Sequence, residues 1–495
     1  MPSLLDLPAE LLDWILEPCE PLTLSRLSRT NVGLHRVITP RLYNSIDWFW
    51  EDDEPSPPLH LLLRTLINNP SMRALVKYLR LRGGGIVPRS EWKDAWFRKT
   101  KLEYHPVQDT RSIWTEGRFA SFSFGDYQKV QALISTLVLP LRPVWMSEFE
   151  RGSVDAMLAL LLHHTPALRQ FDLGFGYLQQ SYFVPAMLRH HILSSKSSSH
   201  FLSLTNVILA ADVPKSAVGF WSDLDLLRPL FFLPAVESIT TVVREPVIFT
   251  WPGKAPQLFN LSTLVLNKCS APERTLEKIL SCTPALKHLT YSHCRTVARD
   301  APDYEYPVDP SEFESTNIIQ CGRLDAALSH VQDTLETLVF TISYEDWPGV
   351  HVNSTRSLST CGVTGRMGSI KTMSKLTSLE IPWVLLFGWE PEDPPCWTEF
   401  LPPTIQCLRI RDDMRQLSNY AWAGDSTVSR VEQLLDVRPQ AFVALNSICF
   451  TYIWVHWVTE RSSEGWYDEH FLELRALCES EGLACGLRYE NDASM

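Results

Sequence analysis

From about residue 72 onward, one spacing of apolar positions recurs: apolar-x-x-apolar-x-apolar. It fits Val76/Leu79/Leu81, Leu168/Phe171/Leu173, Leu204/Val207/Leu209, Leu261/Leu264/Leu266, Leu286/Leu289/Tyr291, Leu335/Leu338/Phe340, Leu376/Leu379/Ile381, Ile405/Leu408/Ile410 and Leu445/Ile448/Phe450. A weaker copy sits at Val236/Ile239, and a further one is read near Leu487 and Tyr489. Alternation over the last four positions predicts a short strand with one buried face, and the first position turns the chain into it. Two copies share a lead-in: Leu158-x-x-Leu161-Leu162-x-x-Thr165-Pro166-Ala167-Leu168 repeats as Leu276-x-x-Ile279-Leu280-x-x-Thr283-Pro284-Ala285-Leu286. The i, i+3, i+4 spacing is a helix face, and the proline ends that helix. Each unit therefore reads as helix, proline-containing turn, strand. One such unit cannot bury its own apolar face, so the copies must stack.

Stacking predicts an α/β fold, a horseshoe with a parallel sheet inside and helices outside, and this resembles the leucine-rich repeat family. That family often places Asn or Cys three residues after the last apolar strand position, where it satisfies the backbone of the turn. Cys269 follows Leu266 and Cys294 follows Tyr291 at that distance, so both are expected in equivalent turns of adjacent repeats. The copies are unevenly spaced. Their first positions from Leu204 onward fall at 236, 261, 286, 335, 376, 405 and 445, which marks a degenerate array with insertions. These are placed near 83–150 (a glycine run, then aromatic and basic residues), 295–322 (proline-rich and acidic) and 346–368 (Gly, Ser and Thr), with a short polar loop over Ser194–Ser199. Loops of this kind often carry partner contacts. The C-terminal stretch Phe471-x-x-Leu474-x-x-Leu477-Cys478 reads as a last helix that ends at Gly482, followed by a short strand.

The first forty-odd residues have a different pattern. Apolar side chains at 7, 11, 12, 15 and 16 form one helical face; Asp6 is placed to cap the helix and Pro8 lies in its first turn. After a break at Pro18 and Pro21, a second helix is read from about Leu22, with Leu24, Leu27, Val32 and Leu34 inward and Arg26, Arg29 and Arg36 outward. Pro40 is read as an interruption, after which Leu42, Tyr43 and Ile46 continue the apolar series. So short a unit rarely buries enough surface to stand alone, so it either docks on a partner or caps the repeat array.

Three runs then narrow the choice: Leu7-Pro8-x-Glu10-Leu11-Leu12-x-x-Ile15-Leu16, Leu22-x-Leu24-Ser25-Arg26-Leu27-Ser28-Arg29-Thr30 and Leu34-His35-x-x-x-Thr39-Pro40-x-Leu42-Tyr43. Together they resemble the F-box, in the form common in filamentous fungi. The resemblance covers residues 5–46 and departs from the family pattern at Glu17-Pro18-Cys19 and at Ser28-Arg29. It implies an F-box helical hairpin over 1–48, followed by a degenerate leucine-rich-repeat solenoid over 49–495. It also implies a Skp adaptor as partner and, through it, a cullin. The positions similar to the family's adaptor-contacting residues are Leu7, Pro8, Leu11, Ile15, Leu16 and Leu27. Of these, Leu7, Pro8, Leu11 and Ile15 are expected to be partly exposed in the isolated chain, with Leu42, Tyr43 and Ile46 packed on the first repeat.

Composition adds exclusions. The net charge of −12 argues against a generic nucleic-acid binder. No apolar run reaches the ~18 residues of a membrane span, and the acidic N-terminus is not that of a secretory signal. Eleven cysteines without Cys-x-x-Cys pairs argue for free thiols in a reducing compartment, cytoplasmic or nuclear. A metal set of Cys269, Cys282, His288, His293 and Cys294 lacks the close ligand pairs of a zinc site. His163-His164 and His190-His191, among apolar neighbours, read as helix-end residues rather than ligands. Gly362-Val363-Thr364-Gly365 reads as a loop. Residues 64–101 hold ten Lys or Arg and two acids, interleaved with Trp92, Trp96 and Phe97: a solvated face, a docking patch for an acidic or phosphorylated partner, or, as the least favoured reading, a contact for nucleic acid. None of the familiar catalytic motifs is present, so neither an enzyme nor a cofactor is expected. The functional expectation is a substrate-recognition subunit of an SCF-type ubiquitin ligase holding an unidentified target protein. The alternative is a non-catalytic interaction scaffold outside any ligase.

Overall fold

In the computed structural model, the described residues are 7–50, 57–83, 123–137, 142–178, 181–193, 200–211, 224–243, 249–296, 318–345, 362–389, 395–414, 425–454 and 466–491. The strands are β1 (Ser45–Trp50), β2 (Tyr78–Gly83), β3 (Gln170–Leu173), β4 (Asn206–Leu209), β5 (Ser238–Val242), β6 (Thr263–Cys269), β7 (His288–Thr296), β8 (Ile318–Gln320), β9 (Thr337–Glu345), β10 (Gly362–Thr364), β11 (Ser378–Pro382), β12 (Cys407–Arg411), β13 (Ser447–Trp454) and β14 (Ala484–Asn491). All but β8 and β10 belong to one twelve-stranded parallel sheet whose order is the order of the chain; β8 and β10 pair with each other. The chain divides into two compact units, 1–213 with 228–236 and 214–227 with 237–495. No helix among the described residues is long and apolar enough to cross a membrane.

In the first unit, three helices, α1 (Ala9–Leu16), α2 (Pro21–Ser28) and α3 (Val32–Asn44), run directly into β1. The strand register aligns Ile46, Leu79, Phe171 and Val207, then Trp48, Leu81, Leu173 and Leu209. A shared direction of burial results, because an in-register parallel pair places equivalent side chains on the same face. The helix Leu59–Asn68 and the helix Phe183–Leu193 both pack on the helix Val154–His163. Asp155, buried in the first turn of that helix, accepts from Ser181 Oγ (2.6 Å) and from the backbone N–H groups of Tyr182, Phe183 and Val184. It thereby supplies the first turn of the Phe183–Leu193 helix with acceptors that its own sequence lacks.

In the second unit the ladder is longer: Ile239, Leu264, Leu289, Leu338, Leu379, Leu408 and Ile448 are successive partners from β5 to β13. Every complete template triplet named from sequence, in either unit, is at most 2% exposed. The residue after the first template position has a role the pattern does not announce. Its carbonyl accepts two N–H groups from the start of the next copy: Ser262 from Lys287 and His288, Lys287 from Glu336 and Thr337, Glu336 from Thr377 and Ser378. Arg169 does the same for Thr205 and Asn206 in the first unit. The near-duplicate lead-ins also fold alike. Thr165 Oγ1 donates to the Leu161 and Leu162 carbonyls and Thr283 Oγ1 to that of Leu280, closing the ends of the helices Val154–His163 and Glu273–Leu280. Between β11 and β12, Arg411 bridges Glu380 (2.6 Å) and Asp413 (2.8 Å), all three buried.

Several expectations need correction. Pro40 lies inside α3 without interrupting it; the actual break falls at Thr30-Asn31, where the Asn31 side chain caps α3 by accepting from Gly33 N (2.6 Å). Val32, expected inward, is 70% exposed. Ile46 belongs to a strand, not to the helical series, and Tyr43/Ile46/Trp48 is one more copy of the strand template. Gly83 closes β2 at φ 105, where a Cβ would collide with the Trp50 backbone. Cys294 lies within β7, paired with Ser343, rather than in a turn. The register slips between Leu266 and Cys269, where Lys268 takes φ 44, so Cys269 faces His293. Gly362–Thr364 is a strand, not a loop.

The insertions near 83–150, 295–322 and 346–368 contain ordered elements. The first holds the helices Phe124–Thr136, with a Ser123/Asp126 capping box, and Arg142–Arg151. The other two contribute β8 and β10. Asp6, Trp92, Trp96, Phe97 and the Ser194–Ser199 loop lie outside the described residues. At the C-terminus, the helix Trp466–Ser480, Gly482 at φ 70 and β14 come in the expected order.

Candidate protein-docking site

The sequence of α1, Ala9-Glu-Leu-Leu-Asp-Trp-Ile-Leu, carries more apolar residues than one helical face can bury. The fold divides them. Leu12 and Leu16, one turn apart, are 5% and 1% exposed, and Leu16 packs with Leu24, Leu34 and Ile38 in a small core that Leu27, Val37 and Leu42 flank. The other side keeps Leu11 41%, Trp14 73% and Ile15 43% exposed, with Pro8 exposed and Leu7 half-buried ahead of them. Spacings of i, i+3 and i+4 place Leu11, Trp14 and Ile15 on one stripe.

Beside the Leu16 cluster, an ion pair between Asp13 and Arg41 of α3 ties α1 down, with the Arg41 guanidinium also donating to the Asp13 carbonyl (3.4 Å). The pair is half in solvent and contributes at most about 1 kcal/mol, so the Leu16 cluster is the stronger anchor.

The six residues singled out from sequence therefore separate. Leu11 and Ile15 share the outward side of α1; Pro8 is exposed and Leu7 half-buried ahead of it. Leu16 is a core residue, and Leu27 is half-buried against the same core. Trp14, the most exposed of the stripe, was not singled out. Its signal was the excess of apolar positions over what a single face requires. Leu22 and Val32, 61% and 70% exposed, add apolar surface on α2 and α3.

The cysteines and histidines also sort by position. None of the ten cysteines among the described residues is in a disulfide. Of the suggested metal set, His288 is exposed while Cys269, Cys282, His293 and Cys294 are buried, and the five do not form a ligand group. His163 and His164 do end a helix, and His190 and His191 do lie in the last turn of another. Among the described residues, the ligand group that does converge is His163, His191 and His200.

A scan against protein-family models finds no match for this chain, and a search of the curated proteins finds none either.

Proposed function

We propose that the chain is a substrate receptor of an SCF-type ubiquitin ligase. The outward stripe of α1, Leu11, Trp14 and Ile15, together with Leu7 and Pro8 just ahead of the helix, docks on a Skp adaptor that connects it to a cullin. The stacked strand-and-helix copies act as an irregular leucine-rich-repeat horseshoe that holds a target protein. The observation that carries this reading is the division of α1: one face is committed to the helical core, and the opposite face leaves large apolar side chains in water. Apolar burial is worth about 1.5–3 kcal/mol per large side chain before the entropic costs of association, so covering this stripe is a sufficient driving force for a specific contact. The receptor supplies proximity rather than bond chemistry, raising the effective concentration of target lysines near the conjugating enzyme.

The test is a pull-down with purified adaptor of the wild-type chain and of the Leu7→Ala/Pro8→Ala double variant, beside thermal melts of both. Binding by wild type, its loss in the variant and unchanged melts are expected. A variant that binds as well as wild type would place the contact elsewhere. A wild type that does not bind at all would leave the scaffold as the better reading.

A further inference from the structure

We propose that His163, His191 and His200 form a binding site for a single first-row divalent metal ion of the zinc class, with the fourth coordination position open. The three residues come from separate segments. His163 ends the helix Val154–His163, His191 lies in the last turn of the helix Phe183–Leu193, and His200 opens the stretch that leads into β4. One ring nitrogen from each lies within 4.8 Å of the others. The closest two, His163 Nδ1 and His191 Nε2, are 3.0 Å apart. Two imidazoles on one tetrahedral zinc at 2.0–2.1 Å hold their nitrogens about 3.3 Å apart, so in distance this pair needs little adjustment. The proton of the hydrogen bond between them moves to the far nitrogen of its own ring, and thence to solvent if that ring already carries one, when both ligate. The rings of His191 and His200 are stacked at 4.0 Å and 17°, so their in-plane lone pairs run nearly parallel and the two side chains rotate to converge on an ion.

Three further features favour a cation. His200 Nε2 lies 3.2 Å from the carbonyl oxygen of His163; donation there fixes the tautomer and leaves the lone pair on Nδ1. Ligating histidines are commonly held in this way by a carbonyl on the far nitrogen. Two helices end at the site, and the partial negative charge of their terminal carbonyls stabilises positive charge there. The imidazoles are also kept in the neutral, ligating form: burial first, and then neighbouring positive charge, pulls His163 down to about 4 and His191 to about 2. His164, held at about 3 mainly by burial, is 4% exposed and has no hydrogen-bond partner on either ring nitrogen among the described residues. Among the described residues, His190, half-buried beside His191, and Arg73 also act on the site. The Arg73 guanidinium donates to the Leu66 and Ile67 carbonyls, which engages part of the charge that would oppose the ion.

A bound ion would tie the stretch before β4 to the ends of both helices, which makes the site a clamp within the first unit. Its residues lie outside the stripe of α1, so it stands or falls independently of the adaptor reading.

The experiment is equilibrium dialysis of the full-length chain against zinc, with cobalt as spectroscopic probe, on wild type and the His163→Gln, His200→Gln and His190→Gln variants. One zinc per chain is expected for wild type and for His190→Gln. A residue that merely hydrogen-bonds a ligating histidine is worth about 10–100-fold in metal affinity, so losing a ligand itself in His163→Gln or His200→Gln should cost at least about 100-fold. The cobalt form should show the visible bands of a four-coordinate nitrogen site without the near-ultraviolet thiolate band that binding at a cysteine would give. Zinc should raise the melting temperature of wild type and leave those two variants unmoved; their metal-free melts identify any variant that has failed to fold. No stoichiometric zinc in wild type, a thiolate band, or wild-type affinity in both ligand variants would overturn the proposal.

Discussion

Leu16→Ala and Trp14→Ala, two positions apart on α1, should separate folding from docking. Leu16 is 1% exposed, and removing three carbons from a buried leucine costs about 2–5 kcal/mol. The cluster has only three other buried members, Leu24, Leu34 and Ile38, so it can partly collapse into the cavity, and the lower part of that range, about 2–3 kcal/mol, is expected. At 1.4 kcal/mol per factor of ten, local opening of α1–α3 should become roughly 30- to 140-fold more frequent. Trp14 is 73% exposed, so truncation removes only about a quarter of its possible burial from the folded chain. That is under about 1 kcal/mol, or less than about fivefold in opening. The remaining three quarters of the indole is available to a partner, and its loss should weaken adaptor binding by about 2 kcal/mol, roughly 30-fold. Hydrogen exchange of peptides covering 7–44 reads the first effect, and a binding titration with purified adaptor reads the second. If Trp14→Ala opens the helices as much as Leu16→Ala does, the outward stripe is part of the fold and the division of α1 is wrong.

Three other perturbations test the rest of the molecule. Arg411→Met removes the buried cation that joins Glu380 and Asp413, leaving Glu380 the more exposed Arg409 (3.4 Å) and Asp413 the Ile342 N–H (2.6 Å), and should cost about 3–5 kcal/mol in a thermal melt, part of which Glu380→Gln should restore; an unchanged melt would mean the three groups are solvated. The histidines His163, His164 and His191 are held by burial well below the 6.5 of an unfolded histidine. Acid therefore favours the unfolded chain: their contribution is complete above pH 6.5 and is lost as pH falls towards about 4 and below. The opening free energy of peptides covering 154–193, from exchange rates corrected for their intrinsic pH dependence, should fall over that window and fall less in His191→Gln, whereas an opening free energy that does not change with pH would contradict the burial. Thiol titration of denatured, unreduced protein should count eleven equivalents, and a clearly lower number would contradict the reducing-compartment expectation.

The strands were legible because a parallel strand buried on one face repeats every two residues, and a fixed first position turns the chain into it; both are properties of near neighbours. The helix lead-ins at 158–168 and 276–286 were legible for the same reason, but the end of each was read from its proline, and only the structure shows the threonine hydroxyl that closes it. β1 was missed although Tyr43/Ile46/Trp48 fits the template, because it comes after a helix without a break and was read as part of it. β8 and β10 are too short to show a period. The apolar content of α1 was visible, but not which residues would be committed to the core. Leu16 and Ile15 are equally apolar neighbours, and only the packing of α2 and α3 buries one and leaves the other in water. The histidine group shows the same limit most sharply. His191 and His200 lie 28 and 37 residues beyond His163, so no local spacing connects them. Their meeting depends on the packing of one helix on another and on where the chain returns to enter β4, which is set by the sum of many long-range apolar contacts and not by the histidines themselves.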